Sequence, residues 1–130
     1  MTVTNLKQIL EETARRHGEK TAIVSGERRL SYAELDEASN KVANALIKMG
    51  VGKGDRVVII LPDTPEFIIT IFGVVKSSGI TVRLNPRSKV EELASFIDDC
   101  QPRVLVTENP VLETLMPALA KFKSIEKVID

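Results

Sequence analysis

A repeated unit places the strongest constraint on how this 130-residue chain can fold. Short apolar, β-branched runs begin at residues 56, 80, 103 and near 127, and each gap of about 24 residues holds one helix pattern. Gaps of this length suit parallel strands joined by a crossover helix, whereas antiparallel strands are joined by short turns. Because such crossovers are right-handed, the helices pack on both faces of the sheet. The sequence therefore predicts an α/β three-layer sandwich with a mainly parallel sheet, of the flavodoxin-like or doubly wound kind.

Residues 1–30 predict a helix and a small hairpin ahead of these units. One helical face is formed by Leu6, Ile9, Leu10 and Ala14, with a cap near Thr4 or Asn5 and an end at His17-Gly18. Residues 21–25 are typical of a strand, and residues 28–30 of its return arm after a turn at Gly26-Glu27. No Gly/Ser-rich linker divides the chain, so we expect one domain over 1–130, with strand–helix units over 31–130.

Helix starts are indicated by side chains that can bond free backbone N–H groups. Ser31 followed by Glu34 is a capping box, and the helix after it ends at Gly50. Thr64 before Pro65, and Ser88 before Glu91, predict two further caps, and Asn109-Pro110 opens the last helix. The buried stripe of the helix after Ser31 is expected at Leu35, Ala38, Val42, Ala45, Leu46 and Met49.

Composition excludes several classes of partner and site. Eighteen basic residues balance eighteen acidic ones without a basic run, so we expect no nucleic-acid partner. The longest apolar stretch, residues 67–75, is about half the roughly 20 residues of a membrane span, so we expect no such span. One cysteine and one histidine cannot close an internal disulfide or form a Cys/His zinc site. With no secretory pattern at the start, these features predict a cytoplasmic protein.

Ligands of open parallel sheets bind beyond the carboxyl ends of the strands, which places a candidate site in loops 62–66, 85–88 and 108–110. There, helix N-termini together with Arg83 or Arg87 could attract an anion. The alternative is that Thr64, Ser88 and Asn109 are caps only. Residues 50–55, Gly-Val-Gly-Lys-Gly-Asp, do not match a Walker loop, because a helix precedes them and a strand follows. Cys100, His17 and Asp98-Asp99 are expected to have no catalytic role.

The helix at residues 66–76 is apolar on every face. Such a helix is buried on all sides, either by the sheet and neighbouring helices or by more protein. That further protein would be either a missing C-terminal portion or a second copy of the chain. We also expect a homodimer formed through this helix or through an open sheet edge.

Several segments, in order, resemble the N-terminal end of the adenylate-forming superfamily. These are Leu30-Ser31-Tyr32-Ala33-Glu34-Leu35, Gly54-Asp55-Arg56-Val57, the turn Leu61–Phe67, and Gly79–Arg87 with its Leu-Asn-Pro-Arg loop. The resemblance covers essentially the whole chain, and the Leu-Asn-Pro-Arg form favours acyl- or aryl-CoA ligases.

The resemblance implies a two-step activity: a carboxylate attacks ATP to give an acyl-adenylate and pyrophosphate, and CoA then displaces AMP. ATP, magnesium and CoA are implied for the parent enzyme and none of them for this chain alone. The family's phosphate loop, adenylate motif and catalytic Lys follow the matched region, so we expect the chain alone to be inactive and its main partner to be the missing C-terminal part. Asn85 and Arg87 are its candidate substrate-binding residues. The alternative function is a free-standing α/β interaction or binding module that homodimerises.

Overall fold

The computed structural model describes residues 6–119 and 126–129. Within them, five helices and six strands follow one another in an order that matches the predicted units. The elements are α1 Leu6–His17, β1 Thr21–Ser25, β2 Arg28–Ser31, α2 Tyr32–Lys48, β3 Arg56–Ile60, α3 Pro65–Lys76, β4 Ile80–Arg83, α4 Val90–Cys100, β5 Val104–Thr107, α5 Asn109–Leu119 and β6 Glu126–Ile129. The expected cap at Thr4 or Asn5 lies outside the described residues.

The six strands form two sheets. β1 and β2 pair antiparallel, as the hairpin prediction required. The other four form one sheet in the order β4-β3-β5-β6, and every neighbouring pair is parallel. The crossovers inferred from the spacing of the strands are therefore confirmed.

Helices cover both faces of the parallel sheet because successive strand side chains point to opposite sides. Val57 and Ile59 of β3 pack with residues of α2 and α3, among them Leu46 and Val74. On the other face Val58 and Ile60 pack with residues of α4 and α5, and the residues from the two helices are Leu93, Ile97, Leu112 and Leu115. This arrangement confirms the predicted three-layer α/β fold.

The apolar helix α3 is covered in part by other elements of the chain. None of its residues is exposed, and α2 lies directly against it. A Cβ atom added to Gly73 would lie 2.4 Å from Cγ1 of Val42, so the two helices approach each other more closely than a larger residue would permit. Neighbouring elements therefore bury one side of α3, whereas Ile68, Ile69, Ile71, Phe72 and Val75 are half-buried and leave apolar surface for contact with further protein.

A buried ammonium group joins the same two helices. Nζ of Lys76 in α3 lies 2.5 Å from Oδ1 of Asp36 and 2.8 Å from Oδ1 of Asn40, both in α2. It also donates to the backbone carbonyl of Asp36 at 3.1 Å. The side chain of Lys76 is only 3% exposed, so these three acceptors replace the water that its charge would otherwise require.

The capping predictions have mixed outcomes. The capping box is confirmed, since Ser31 Oγ accepts from the N–H of Glu34 and the Glu34 carboxylate accepts from the N–H of Ser31. Thr64 occupies the N-cap position of α3 with extended backbone, as predicted, and Pro65 begins the helix. Its hydroxyl, however, donates to the carbonyl of Pro62 at 3.3 Å and makes no capping bond. The Ser88 prediction was wrong, because Lys89 occupies the N-cap position of α4.

The predicted end of α2 is confirmed, and its predicted buried stripe is partly wrong. Gly50 follows the helix with φ of 93°, the left-handed conformation expected of it. The predicted stripe was wrong at Ala45, which is exposed, whereas Ser39 and Ala43 are buried. Ser39 is tolerated there because its hydroxyl donates to the carbonyl of Asp36 at 2.9 Å.

Candidate functional site

The carboxyl ends of the parallel strands meet at one edge of the sheet. From β3 the chain crosses to β4 on one side and then to β5 on the other, so the direction of winding reverses between β3 and β5. Open α/β sheets bind ligands beyond the strand ends near such a point. The expected site loops 62–66, 85–88 and 108–110 all follow strands at this edge.

A cleft of about 550 Å³ lies between the loops that follow β3 and β4. Its lining residues are Pro62, Asp63, Arg83, Asn85, Pro86 and Arg87. Two of the three predicted loops therefore meet in one cleft, and both predicted site residues line it. The third loop lies at a separate groove of about 220 Å³ between α4 and α5, where Pro110 approaches Pro86.

Local hydrogen bonds shape the loop that carries the two predicted residues. The side-chain oxygen of Asn85 accepts from the backbone N–H of Arg87 at 2.9 Å, and the carbonyl of Asn85 accepts from the N–H of Ser88 at 3.0 Å. These two bonds form a tight turn of the kind that asparagine favours. Arg87 is exposed, and within residues 6–119 and 126–129 its guanidinium has no ion-pair partner.

Arg83 is the second guanidinium of the cleft, and its position depends on two partners. It forms an ion pair with Asp63, and its Cζ lies 4.1 Å from the centroid of the Phe67 ring. The ring is only 7% exposed and belongs to the core. The charge of Arg83 is evident in the sequence but its two partners are not, because only the pairing of Ile59 with Arg83 in the sheet brings residues 63, 67 and 83 together.

The other residues considered as candidates in the sequence do not line this cleft. Residues 50–55 form a turn closed by a 2.8 Å hydrogen bond from the N–H of Gly52 to the carboxylate of Asp55. His17 and the Asp98-Asp99 pair are exposed at helix ends. Burial raises the pKa of the Cys100 thiol, and the nearby charge of Arg56 offsets that effect only in part. A raised pKa disfavours the thiolate, so Cys100 is a poor nucleophile.

Magnesium, which the resemblance implies for the parent enzyme, does not fit the described residues. Among residues 6–119 and 126–129, no three His, Cys, Asp or Glu side chains come together as a metal site would require. The same part of the chain has no helix of the length and apolarity needed to span a membrane.

The fold is that of an open α/β protein with a cleft at the carboxyl ends of its parallel strands. Comparison with known proteins identifies the family: the AMP-binding enzyme family matches residues 10–130. The chain belongs to this family.

Curated relatives include the crotonobetaine/carnitine–CoA ligases of Salmonella paratyphi B and Salmonella typhi. Each is 39% identical over 108 residues, which are 79% of this chain and 21% of the relative. The chain thus spans about a fifth of the length of these relatives.

Solved structures have the same fold. The anthranilate CoA ligase AuaEII, in complex with anthranoyl-AMP, superposes with a TM-score of 0.91 at 28% identity, over 97% of this chain and 24% of that one. A benzoate CoA ligase from Burkholderia xenovorans LB400 has a TM-score of 0.89 at 18% identity, over 98% of this chain and 26% of that one, which shows a common fold.

Proposed function

We propose that this chain is the N-terminal structural portion of an ATP-dependent acid–CoA ligase. The observation that carries the proposal is the family match over residues 10–130, combined with the CoA ligases that share 39% identity over 79% of the chain. The chain corresponds to about a fifth of such an enzyme. The remaining length would form the missing C-terminal part, which is its main partner. None of the relatives described above is a free-standing module of this size, so the alternative function gains no support.

The proposed reaction has two steps. A carboxylate oxygen of the acid attacks the α-phosphorus of ATP, the bond to the leaving pyrophosphate breaks, and an acyl-adenylate forms. The CoA thiol then attacks the acyl carbon, AMP leaves, and a thioester remains. The acids named for the relatives are carnitine, crotonobetaine, anthranilate and benzoate, so we propose a carboxylic acid as the substrate class. ATP and CoA would be substrates of the whole enzyme, and its magnesium would be held outside the described residues.

We propose that the cleft between β3 and β4 forms a wall of the substrate site. Arg87 supports this role because its guanidinium lines the cleft and lacks an ion-pair partner among the described residues. Guanidinium groups bind phosphate and carboxylate oxygens with paired hydrogen bonds. Asn85 would act through the turn, since its side-chain oxygen fixes the backbone of Arg87.

The test uses the complete polypeptide that the gene encodes. We expect it to form CoA thioesters from ATP, CoA and a carboxylic acid, with one pyrophosphate released per thioester. The 130-residue chain alone should release none. Sustained turnover by the chain alone, or no thioester from the complete polypeptide with any of a broad set of acids, would contradict the proposal.

The role of the cleft is tested in the same polypeptide by Arg87→Ala. We expect a raised KM for one of the three substrates, while Arg29→Ala, at an exposed position of the hairpin, should leave every KM unchanged. Equal effects of the two substitutions would remove Arg87 from the site.

A cytoplasmic location and self-association stay predictions. Self-association can use the partly exposed apolar side chains of α3 or the outer edges of β4 and β6, each of which pairs with a single described strand. Light scattering over a range of concentrations should show a mass that rises with concentration, and a constant monomer mass would contradict self-association.

A further inference from the structure

We infer that Asp63 controls anion binding in the cleft, because its carboxylate occupies the guanidinium of Arg83 at a place where a ligand oxyanion would bind. Asp63 accepts from one nitrogen of the guanidinium, Nη2, so an entering phosphate or carboxylate that binds Arg83 with paired hydrogen bonds through Nη2 must displace Asp63. The inference rests on the proposed function of the cleft and adds to it a residue that sets the strength of binding.

Arg83 is held in place independently of Asp63. Its guanidinium stacks over the ring of Phe67, and this ring is buried in the core that lies between α3 and the sheet. Stacking on an aromatic face fixes the plane of a guanidinium and leaves its N–H groups free to bond at the edges. Arg83 therefore stays oriented when its carboxylate partner leaves.

Asp63, in contrast, is easily displaced. Its side chain is 82% exposed and lies in the short loop between β3 and α3. Exposed ion pairs contribute little to stability, because water and salt compensate each partner when they separate. An anion that offers Arg83 a better bonding geometry thus has little to overcome.

The charge of the cleft changes when Asp63 moves away. With the ion pair formed, Arg87 supplies the one uncompensated positive charge among the lining residues. With Asp63 displaced, two guanidinium groups line a cleft of about 550 Å³, which is large enough for a polyatomic anion. Arginine pairs are well suited to phosphate and carboxylate oxygens.

The experiment compares anion binding by the unaltered chain and by Asp63→Asn. Inorganic pyrophosphate and acetate are titrated separately into ¹⁵N-labelled protein at constant ionic strength, and the backbone amide signals of the cleft residues report binding. We expect Asp63→Asn to lower the Kd of at least one anion by about two- to fivefold, the range set by the strength of an exposed ion pair. The anion that responds distinguishes a phosphate from a carboxylate ligand.

The control is Glu12→Gln, which removes one negative charge from a half-buried carboxylate that is paired with Arg15 and Arg16 on α1, away from the cleft. It should leave both Kd values unchanged. The double variant Asp63→Asn/Arg83→Lys keeps the positive charge but loses the planar stack, and we expect its Kd to return to the unaltered value or above it.

Four outcomes would overturn the inference: no saturable shift in the cleft signals, unchanged Kd values in Asp63→Asn, an equal change in Glu12→Gln, or a gain that persists with lysine at position 83. Each is separable from failure of the proposed function, which is judged by thioester formation in the complete polypeptide. If the cleft binds pyrophosphate but Asp63→Asn leaves the Kd unchanged, the cleft is a binding site whose affinity does not depend on Asp63.

Discussion

The hydroxyl of Thr107, the last residue of β5, donates a 2.9 Å hydrogen bond to the backbone carbonyl of Ile60, the last residue of β3. The bond joins the two strands at the place where the winding of the sheet reverses. Thr107 is fully buried, so no water can replace its hydroxyl.

We therefore expect Thr107→Val to lower the free energy of unfolding by about 1 kcal/mol, because a buried carbonyl loses a donor while the side-chain volume is preserved. Urea denaturation measures the change. Thr114→Val is the control, since its exposed hydroxyl bonds only to a carbonyl of its own helix, and its effect should stay within about 0.5 kcal/mol. Equal midpoints for the two variants would show that the cross-strand bond contributes nothing.

The fold could be predicted because its main determinants are local. The spacing of the strands and the β-branched runs fixed the parallel units, and both faces of β3 are apolar because both are covered. The strand order could not be read from these patterns, since spacing shows that strands are parallel but does not show which neighbours they choose.

The candidate site was predictable only in part, for a similar reason. Asn85 and Arg87 lie in one short loop and were found from the motif. The contacts of Arg83 with Asp63 and Phe67 join residues 16 to 20 positions apart, and only the pairing of β3 with β4 creates them. The wrong cap prediction at Ser88 has another cause: a serine near a helix start indicates the region but not which residue has the extended backbone of the cap, which here is Lys89.

Replacing Ser31 and replacing Ser88 should have different effects on the free energy of unfolding, although both serines precede a helix. Ser31→Ala removes a side chain that bonds the N–H of Glu34, and we expect a loss of about 1 kcal/mol in unfolding free energy. Ser88→Ala removes no cap, so its effect should stay within about 0.5 kcal/mol. Thermal unfolding of both variants checks the difference, and a larger loss in Ser88→Ala would contradict the assignment of Lys89 as the cap.

Gly73→Ala should destabilise the protein even though alanine is the better helix former. Its Cβ would lie 2.4 Å from Cγ1 of Val42, which forces α2 and α3 apart, and such overpacking costs about 1–3 kcal/mol. The double variant with Val42→Ala should recover part of this loss.

Gly52→Ala is the matched control for that experiment. Its φ is not in the left-handed region, and beyond its chain neighbours the nearest atom to an added Cβ would be a carboxylate oxygen of Asp55, 3.9 Å away. If Gly73→Ala proves as stable as Gly52→Ala, the close approach of the two helices is not as described.

Cys100 gives a prediction that depends on pH. Because burial raises its pKa in the folded protein, less thiolate is present at pH 8 than in the unfolded chain. Iodoacetamide should therefore react more slowly with the folded chain than with the same chain in urea, and the pH of half-maximal rate should be higher when the chain is folded.

The raised pKa also has a consequence for stability. The folded state favours the protonated thiol, so this contribution is complete below the pKa of the unfolded chain and is lost as pH rises through the folded value. Equal alkylation profiles for the folded and unfolded chains would show that burial does not affect the thiol.

The buried ammonium of Lys76 makes three positions depend on one another for the substitutions that they tolerate. A substitution at Asp36 or Asn40 alone removes an acceptor from a buried cation. A neutral residue at position 76 alone leaves the acceptors without their donor. Homologues are therefore expected either to keep all three residues or to replace them together, and a sequence with only one of them replaced should carry a compensating change nearby.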